Sequence, residues 1–517
     1  MKKLFLRNES GYSLLVVLMV MTLLSVVGLM VMGITVNSVK HVTVNEQSVK
    51  VKSATDMAIE EAMAQIDREV EELNKDIKNK TILIDAVVSR LNNSLNNLKS
   101  LGTLPYTIQT QTIKDGSEGI YQEKVTIKTP VGTSGKFATR TILISSINNV
   151  FKYSTVTPGD LVLNGAAYIE GDVRVGGNLY SSNYGKYVDG INLYEKTSFP
   201  ALNGNLTVLG NHNRLSNMDR RGNWFFGYYY VPVFQNFSPT PVELKKYFSV
   251  VPRMPVNSLP VEKVDVAAMI LKKSGNLSSS KTLGSLNVNA NETVRLTGNY
   301  TINNDLVMKE GSRLEVNGSL KVKGNAELSG TITTQNPNDY IYIQGKSSSP
   351  VTISNLTLSG QMYLGYSLDI QNNLNTNGSI YVMGNIDVAN FTNNDPGTLL
   401  LLAEGDIKVS NNNLYNDLPK PINAFLYSNS QLEIYGIGSH LKITGGIYGK
   451  DIILNAVKGK TKKGSGSSLI FESNQDGLPP ESSRLSVIYK KDLILNPPTG
   501  IPVSSELSVE ILDTEYE

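Results

Sequence analysis

The chain of 517 residues contains no cysteine. That excludes a disulfide framework, a thiolate metal site and a thiol nucleophile, and it is compatible with an exported protein that does not rely on disulfides. An excess of one charge is missing as well. The formal net charge is +2, which leaves no electrostatic footprint for nucleic acid. His41, His212 and His440 are the only histidines, and they lack metal-ligand spacing. There is no P-loop, no dinucleotide fingerprint and no G-x-S-x-G elbow, so no cofactor is implied. Proline is absent before Pro105, and no charge interrupts residues 12–36.

That uncharged run, YSLLVVLMVMTLLSVVGLMVMGITV, would span about 37 Å as a helix, enough to cross a bilayer. Lys2, Lys3 and Arg7 precede it and would hold that end in the cytoplasm, with the remainder outside the membrane. A cleaved secretory signal is the alternative; its apolar region is shorter, about 7–15 residues, and closes on a small-x-small site. Gly11 stands directly between the basic leader and the apolar run. A basic leader, a glycine, an aromatic residue and an apolar helix together resemble a type IV prepilin, most closely a minor pilin of the PilX N-terminal type. The resemblance covers roughly residues 5–40. It implies cleavage by a prepilin peptidase between Gly11 and Tyr12, and association with other pilin-like subunits or pilus assembly proteins. Major pilins carry a glutamate five residues after the cut, and here that place is Val16. The departure fits a minor subunit at a tip, or an anchor outside any shaft.

Beyond the apolar run, Ile59, Met63, Ile66, Val70, Leu73 and Ile77 recur at spacings of four and three, a narrow apolar seam on a polar helix. The seam would pack on the chain's own domain or form a short coiled coil with a partner. A second helical piece is expected over residues 82–98. Residues 106–150 change period: YTIQTQTI, YQEKVTIKT and ATRTILISSI alternate as strands, separated by Asp115-Gly116 and by Gly132 and Gly135. A long helix followed by an antiparallel sheet is the pilin layout, so residues 37–150 are expected to form a helical stalk and a small pilin-like β region.

From residue 165 a six-residue beat begins, GAAYIEGDVRVGGNLYSS. It returns as GNLTVL at Gly204, as GSLKVK, GNAELS and GTITTQ from Gly318, Gly324 and Gly330, as GSIYVM and GNIDVA from Gly378 and Gly384, and as GDIKVS at Gly405. Two apolar residues at i and i+2 share one face of a short strand, and glycine permits the bend that follows. Strand and corner repeated wind the chain into a coil with its apolar face inward, stable only when several coils stack. The expected fold is therefore mainly β: a transmembrane, pilin-like α-helix, a small antiparallel head, then a parallel β-helix with a lateral insertion. The repeat resembles the bactofilin type of polymer-forming β-helix. First solenoid rungs are expected at 151–182, an aromatic and proline-rich insertion at 183–290, the main β-solenoid at 291–475 and a C-terminal tail at 476–517. Within the insertion Trp224, Phe225, Phe226, Tyr228, Tyr229 and Tyr230 crowd together. They would either cover the solenoid or form a platform for glycan stacking or partner docking.

The triplet Glu170-Gly171-Asp172 returns as Glu404-Gly405-Asp406 at the same place in the beat. Recurrence at a corner points to turn chemistry rather than a catalytic pair. The loop Asn393-Asn394-Asp395 lacks the twelve-residue calcium pattern, and no metal is expected. Residues 496–500, NPPTG, match three of five positions of a sortase signal, but the chain continues polar and acidic, which argues against wall anchoring. Lys458-Gly-Lys-Thr-Lys-Lys463 is expected to be a solvated loop. The expectation is a non-enzymatic, single-pass, extracytoplasmic structural protein of a type IV pilus-like assembly, at a tip or adhesive, with the membrane as a partner and wall or surface glycans as candidate ligands. Two alternatives stand beside it: a stand-alone surface β-helix that self-polymerises or binds glycans, and a polysaccharide-active β-helix enzyme.

Overall fold

The computed structural model describes residues 10–79, 89–91, 93–95, 106–115, 120–131, 136–189, 191–224, 227–255, 261–393, 398–412, 414–465 and 468–516. The chain divides into two units, Met1–Ser146 with Ser505–Glu517, and Ile147–Ser504. Most of the basic leader, most of the second helical piece and the Asn394-Asp395 pair lie outside the described residues.

The first unit begins with one continuous helix, Ser10–Lys78. Absence of proline and an unbroken run of apolar side chains let it continue without interruption. Its far part carries the seam expected from the sequence. Ile59, Met63, Ile66, Val70 and Leu73, joined by Ala58 and Ala62, are buried against Val125, Ile127, Ala138, Ile142 and Ile144. The seam therefore packs on the chain's own sheet. That antiparallel sheet runs Thr107–Asp115, Tyr121–Pro130, Phe137–Ile147 and then Val503–Tyr516. The last strand comes from the region expected to be a tail: Leu507 joins the head's core, and its backbone N–H and C=O both bond the Asn74 side chain.

The second unit is a three-sided parallel β-solenoid. On one side twelve strand segments follow one another: 281–283, 300–302, 320–322, 340–343, 361–364, 378–382, 399–403, 424–428, 445–449, 155–157, 173–175 and 206–208. The order of this stack is not the order of the chain. Residues 452–456 pair with 161–165, and 485–489 join 441–445 to 168–170. The chain thus enters the stack at its interior, winds to one end by residue 214, returns to the far end, and winds back until its last rung lies on its first.

This changes how residues 183–290 are assigned. Ala201–Asn203, Leu206–Val208 and the start of His212–Asn223 are rung strands, paired in parallel with 168–170, 173–175 and 179–181. Two antiparallel hairpins do leave the stack, Tyr184–Asp189 with Ile191–Lys196 and His212–Asn223 with Gly227–Asn236. The helix Pro241–Tyr247, started by Thr240 accepting from the Glu243 N–H, puts Leu244 and Phe248 into the solenoid core and closes that end. Winding resumes at Lys281–Leu283, ahead of the expected boundary. Leu485–Tyr489 is a rung strand rather than tail.

Glycines mark the corners because one coil's backbone passes over the next. A Cβ on Gly378 would lie 2.1 Å from the Gly360 carbonyl oxygen, and one on Gly204 would lie 2.1 Å from that of Gly171. The Asp or Asn at the corner, after a glycine or, at Asp305, after Asn304, adds a stitch between coils. The Asp172 Oδ1 accepts from the Asn205 N–H, Asp305 from Asn325, Asn385 from Asp406, and Asp406 from Gln431. Short Asx side chains suit this task because they reach one backbone N–H from a turn.

Candidate functional surface

The repeated Glu-Gly-Asp triplets are structural at both copies. Asp172 holds Asn205 through two hydrogen bonds, and Glu170 accepts from the Tyr168 hydroxyl at 3.2 Å. Asp406 holds the Gln431 N–H and Glu404 accepts from the Asn429 amide. Among the described residues no group of three or more His, Asp or Glu side chains could hold a metal. His212 is buried, and desolvation lowers its pKa; His440 is lowered chiefly for the same reason. Residues 496–500 lie against the stack, with the Thr499 carbonyl accepting from Ser379 and the Gly500 carbonyl from the Tyr381 hydroxyl. The lysine-rich stretch is not simply a solvated loop. Lys458 is 2% exposed and donates its Nζ to the Leu478 carbonyl, while Thr461–Lys463 pairs with Leu469–Phe471.

The aromatic residues of the insertion sit at the free end of the second hairpin. Trp224 is 70% exposed, and Tyr228, Tyr229 and Tyr230 are each about half exposed, so these four do not cover the solenoid. Phe225 and Phe226 lie outside the described residues. The hairpin register brings arginines opposite the tyrosines: Gly222 faces Tyr228, Arg221 faces Tyr229 and Arg220 faces Tyr230. The Arg220 guanidinium lies 3.6 Å from the Tyr228 ring centroid, a cation–π contact.

A different set of aromatics does the covering, and the sequence reading missed it. On one side of the solenoid the outward positions Tyr342, Tyr363, Tyr381, Leu402, Tyr427 and Tyr448 form a ladder in register. Tyr363 stacks on Tyr381 at 4.8 Å and Tyr427 on Tyr448 at 4.1 Å. All six are buried. Residues 499–500 cover Tyr381, and the returning chain covers others, running back along the stack as a strap. The Val264 N–H donates to the Tyr427 hydroxyl at 2.8 Å. The helix Val266–Ser274, N-capped by Asp265, buries Val266 and Ile270. The Lys273 ammonium lies 4.3 Å from the Tyr340 ring centroid, and Lys321 donates to the Ser274 carbonyl at the helix end. The readable signal was an aromatic between two inward apolar residues in consecutive coils, as in Met362-Tyr363-Leu364 and Ile380-Tyr381-Val382.

In the first unit, exposed apolar side chains run from Leu14 along the helix; Val16 is among them, at 50%. Gly11 and Tyr12 fall within the first turns of the helix. The hydroxyls of Thr22, Ser25 and Thr35 each donate to a carbonyl one turn back. From Leu14 on, the helix therefore presents apolar surface all round, with the hydroxyls of Thr22, Ser25 and Thr35 satisfied internally, which suits a bilayer. Its most apolar stretch has a mean hydropathy of 2.9 and no buried residue.

No protein-family model matches the sequence, and no curated protein matches it. Among solved structures, the chain is similar to the competence-associated pilin ComZ from Thermus thermophilus. The identity is 12%, 81% of this chain and 90% of that chain are covered, and the TM-score is 0.24.

Proposed function

We propose that the protein is a membrane-anchored, extracytoplasmic structural component of a type IV pilus-like assembly, in the manner of a minor pilin, and that it is not an enzyme. One observation carries this reading. A single 69-residue helix changes character along its length, from apolar all round to a one-sided seam sunk into an antiparallel sheet. The first part packs on no other described segment of the chain and suits lipid; the second ties a folded head to it. The prepilin-like leader ahead of it supports processing between Gly11 and Tyr12, and the basic residues support a cytoplasmic N-terminus. The solenoid is then a rigid extracytoplasmic body. Its exposed hairpin, with Trp224, Tyr228, Tyr229 and Tyr230 beside Arg220 and Arg221, suits contact with wall or surface glycans.

Mass spectrometry of the mature N-terminus tests the reading. A chain beginning at Tyr12, recovered in the membrane or pilus fraction, is the expected result. A mature chain that keeps residues 1–11, or one cut beyond Val36 and released as a soluble protein, overturns it.

A further inference from the structure

The joint where the last coil lies on the first is held by more than its ladder. Residues 452–456 pair with 161–165, and the strand Tyr184–Asp189 of the first hairpin packs on both. Its Gly185 is wedged there. A Cβ on Gly185 would lie 2.7 Å from the Ala456 carbonyl oxygen, and one on Gly165 would lie 2.9 Å from the Gly185 nitrogen. Just past the hairpin, the Thr197 hydroxyl accepts from the Lys458 N–H at 3.3 Å. The register sets Asn455 beside Asn164. Leu454 and Ala456 point into the core, so alternation turns the Asn455 side chain outward, toward the hairpin.

An amine, a carboxylate and a carboxamide meet beneath that hairpin. The Lys186 Nζ lies 3.9 Å from the Glu433 Oε1, and the two side chains are 24% and 15% exposed. The same carboxylate oxygen accepts from the Asn455 Nδ2 at 3.3 Å and from the Tyr435 hydroxyl at 2.7 Å. Asn455 is fully buried. Its Nδ2 also reaches the Ile434 carbonyl at 3.5 Å, and its Oδ1 accepts from the Asn164 Nδ2 at 2.9 Å. One carboxylate therefore touches both the nucleophile and the leaving nitrogen of an amide exchange, and the carbonyl between them already faces an N–H donor. Those are the parts that acyl transfer to an amine requires: a nucleophile, a proton carrier and a donor for the developing oxyanion.

We infer that Lys186 and Asn455 are the site of an intramolecular isopeptide bond, formed by the chain on itself after folding. Lys186 passes a proton to Glu433, and the free amine attacks the Asn455 Cγ. The new bond joins Lys186 Nζ to Asn455 Cγ, while the Asn164 Nδ2 steadies the charge that gathers on Oδ1. Glu433 hands protons to Nδ2, the Cγ–Nδ2 bond breaks, and the nitrogen departs as ammonium. Of the three protons on the Lys186 ammonium, one stays on the new amide and two leave with that nitrogen, so Glu433 ends as it began. No oxidant and no activating co-reactant is needed, because the fold supplies the proximity. The bond ties residues that leave the first pass of the solenoid to its last coil. It would close the joint between early and late coils covalently in a chain that has no cysteine to do so.

Mass spectrometry of the full chain, folded in detergent, tests this. The intact mass should fall short of the sequence mass by one ammonia. Trypsin cannot cut at an acylated lysine, so the denatured digest should contain a branched peptide of residues 175–196 joined to 451–458. Lys186→Arg, which keeps the cation beside Glu433, and Asn455→Ala should each restore the ammonia and abolish the branch. Glu433→Gln should lose most of it, with far-UV circular dichroism showing that the variant is folded. The unsubstituted chain decides the existence of the bond by itself, however the variants fold. A full sequence mass overturns the proposal, as does loss of ammonia without the branched peptide, which marks an imide at an asparagine. Loss of water with Lys186 joined to Glu433 overturns the choice of acyl group, and a branch undiminished in folded Glu433→Gln overturns the role of the carboxylate. The position of the cut in the leader does not enter any of these outcomes, so failure here leaves the membrane reading where it stood.

Discussion

Replacing Tyr427 with phenylalanine should loosen the strap while leaving the stack intact. The substitution keeps the ring on Tyr448 and deletes only the hydroxyl that accepts from the Val264 N–H at 2.8 Å. Val264 is 3% exposed, so water cannot replace the lost partner without local opening. An unpaired buried donor costs about 1–3 kcal/mol. At 1.4 kcal/mol per factor of ten, strap opening becomes about 5- to 140-fold more frequent. The Asn429 amide still donates to the Val264 carbonyl at 3.1 Å, which places the expected effect in the lower half of that range. Hydrogen exchange on the full chain in detergent reads it directly. Amides of residues 264–274 should exchange faster, while those of 399–403 and 424–428 keep their protection. Unchanged exchange across 264–274, or equal loss through the core strands, would refute the assignment of this segment as a strap pinned from outside.

Gly378→Ala should destabilise the solenoid by about 1–3 kcal/mol, because its Cβ would collide with backbone, whereas Gly284→Ala, whose Cβ would meet nothing within 4 Å, should fall within about 0.5 kcal/mol; paired thermal melts separate them. Asp172→Ala should cost about 1–2 kcal/mol through the orphaned Asn205 N–H, and Asp172→Asn, which keeps an acceptor, should recover most of it in the same denaturation assay. The solenoid should lose stability in mild acid. Desolvation lowers the pKa of both His212 and His440 in the fold, so below about 6.5 the unfolded chain binds more protons than the folded one. Stability is then full above that pH and declines as pH falls toward the lowered folded values. Melting midpoints at pH 7.5 and 5 should differ, and the difference should shrink in His212→Gln with His440→Gln; a midpoint indifferent to pH would refute the sign.

What could be read from the sequence was whatever local pattern controls. An uncharged run without proline gives a helix, alternation gives the head strands, and glycine every six residues gives coils with Val173, Val175, Leu320 and Val322 inward. The order of the coils could not be read. Every rung offers the same two inward apolar residues and the same corner, so 452–456 would accept many partners, and its pairing with 161–165 is set by what caps the ends and by where the strap returns. The aromatic cluster was misleading for a related reason. Density of Trp and Tyr suggests burial, but on a two-stranded hairpin with no third layer both faces meet solvent, as Tyr228, Tyr229 and Tyr230 do. The buried aromatics were instead spread one per coil, too dilute to register as a cluster until the coils were aligned. For the same reason the strap, described over residues 261–280, reads as an excursion when its partners lie as much as 165 positions away.

The interior point of entry ties the shape of the body to the order of its synthesis. As the ribosome delivers the chain, the N-terminal helix is complete long before the solenoid can be. Residues 155–170 appear early, yet one of their faces stays bare until 441–489 have been translated. The body therefore cannot zip up progressively in chain order behind the ribosome. A chain that stops short of residue 441 leaves two half-stacks, each with a raw edge where the other belongs.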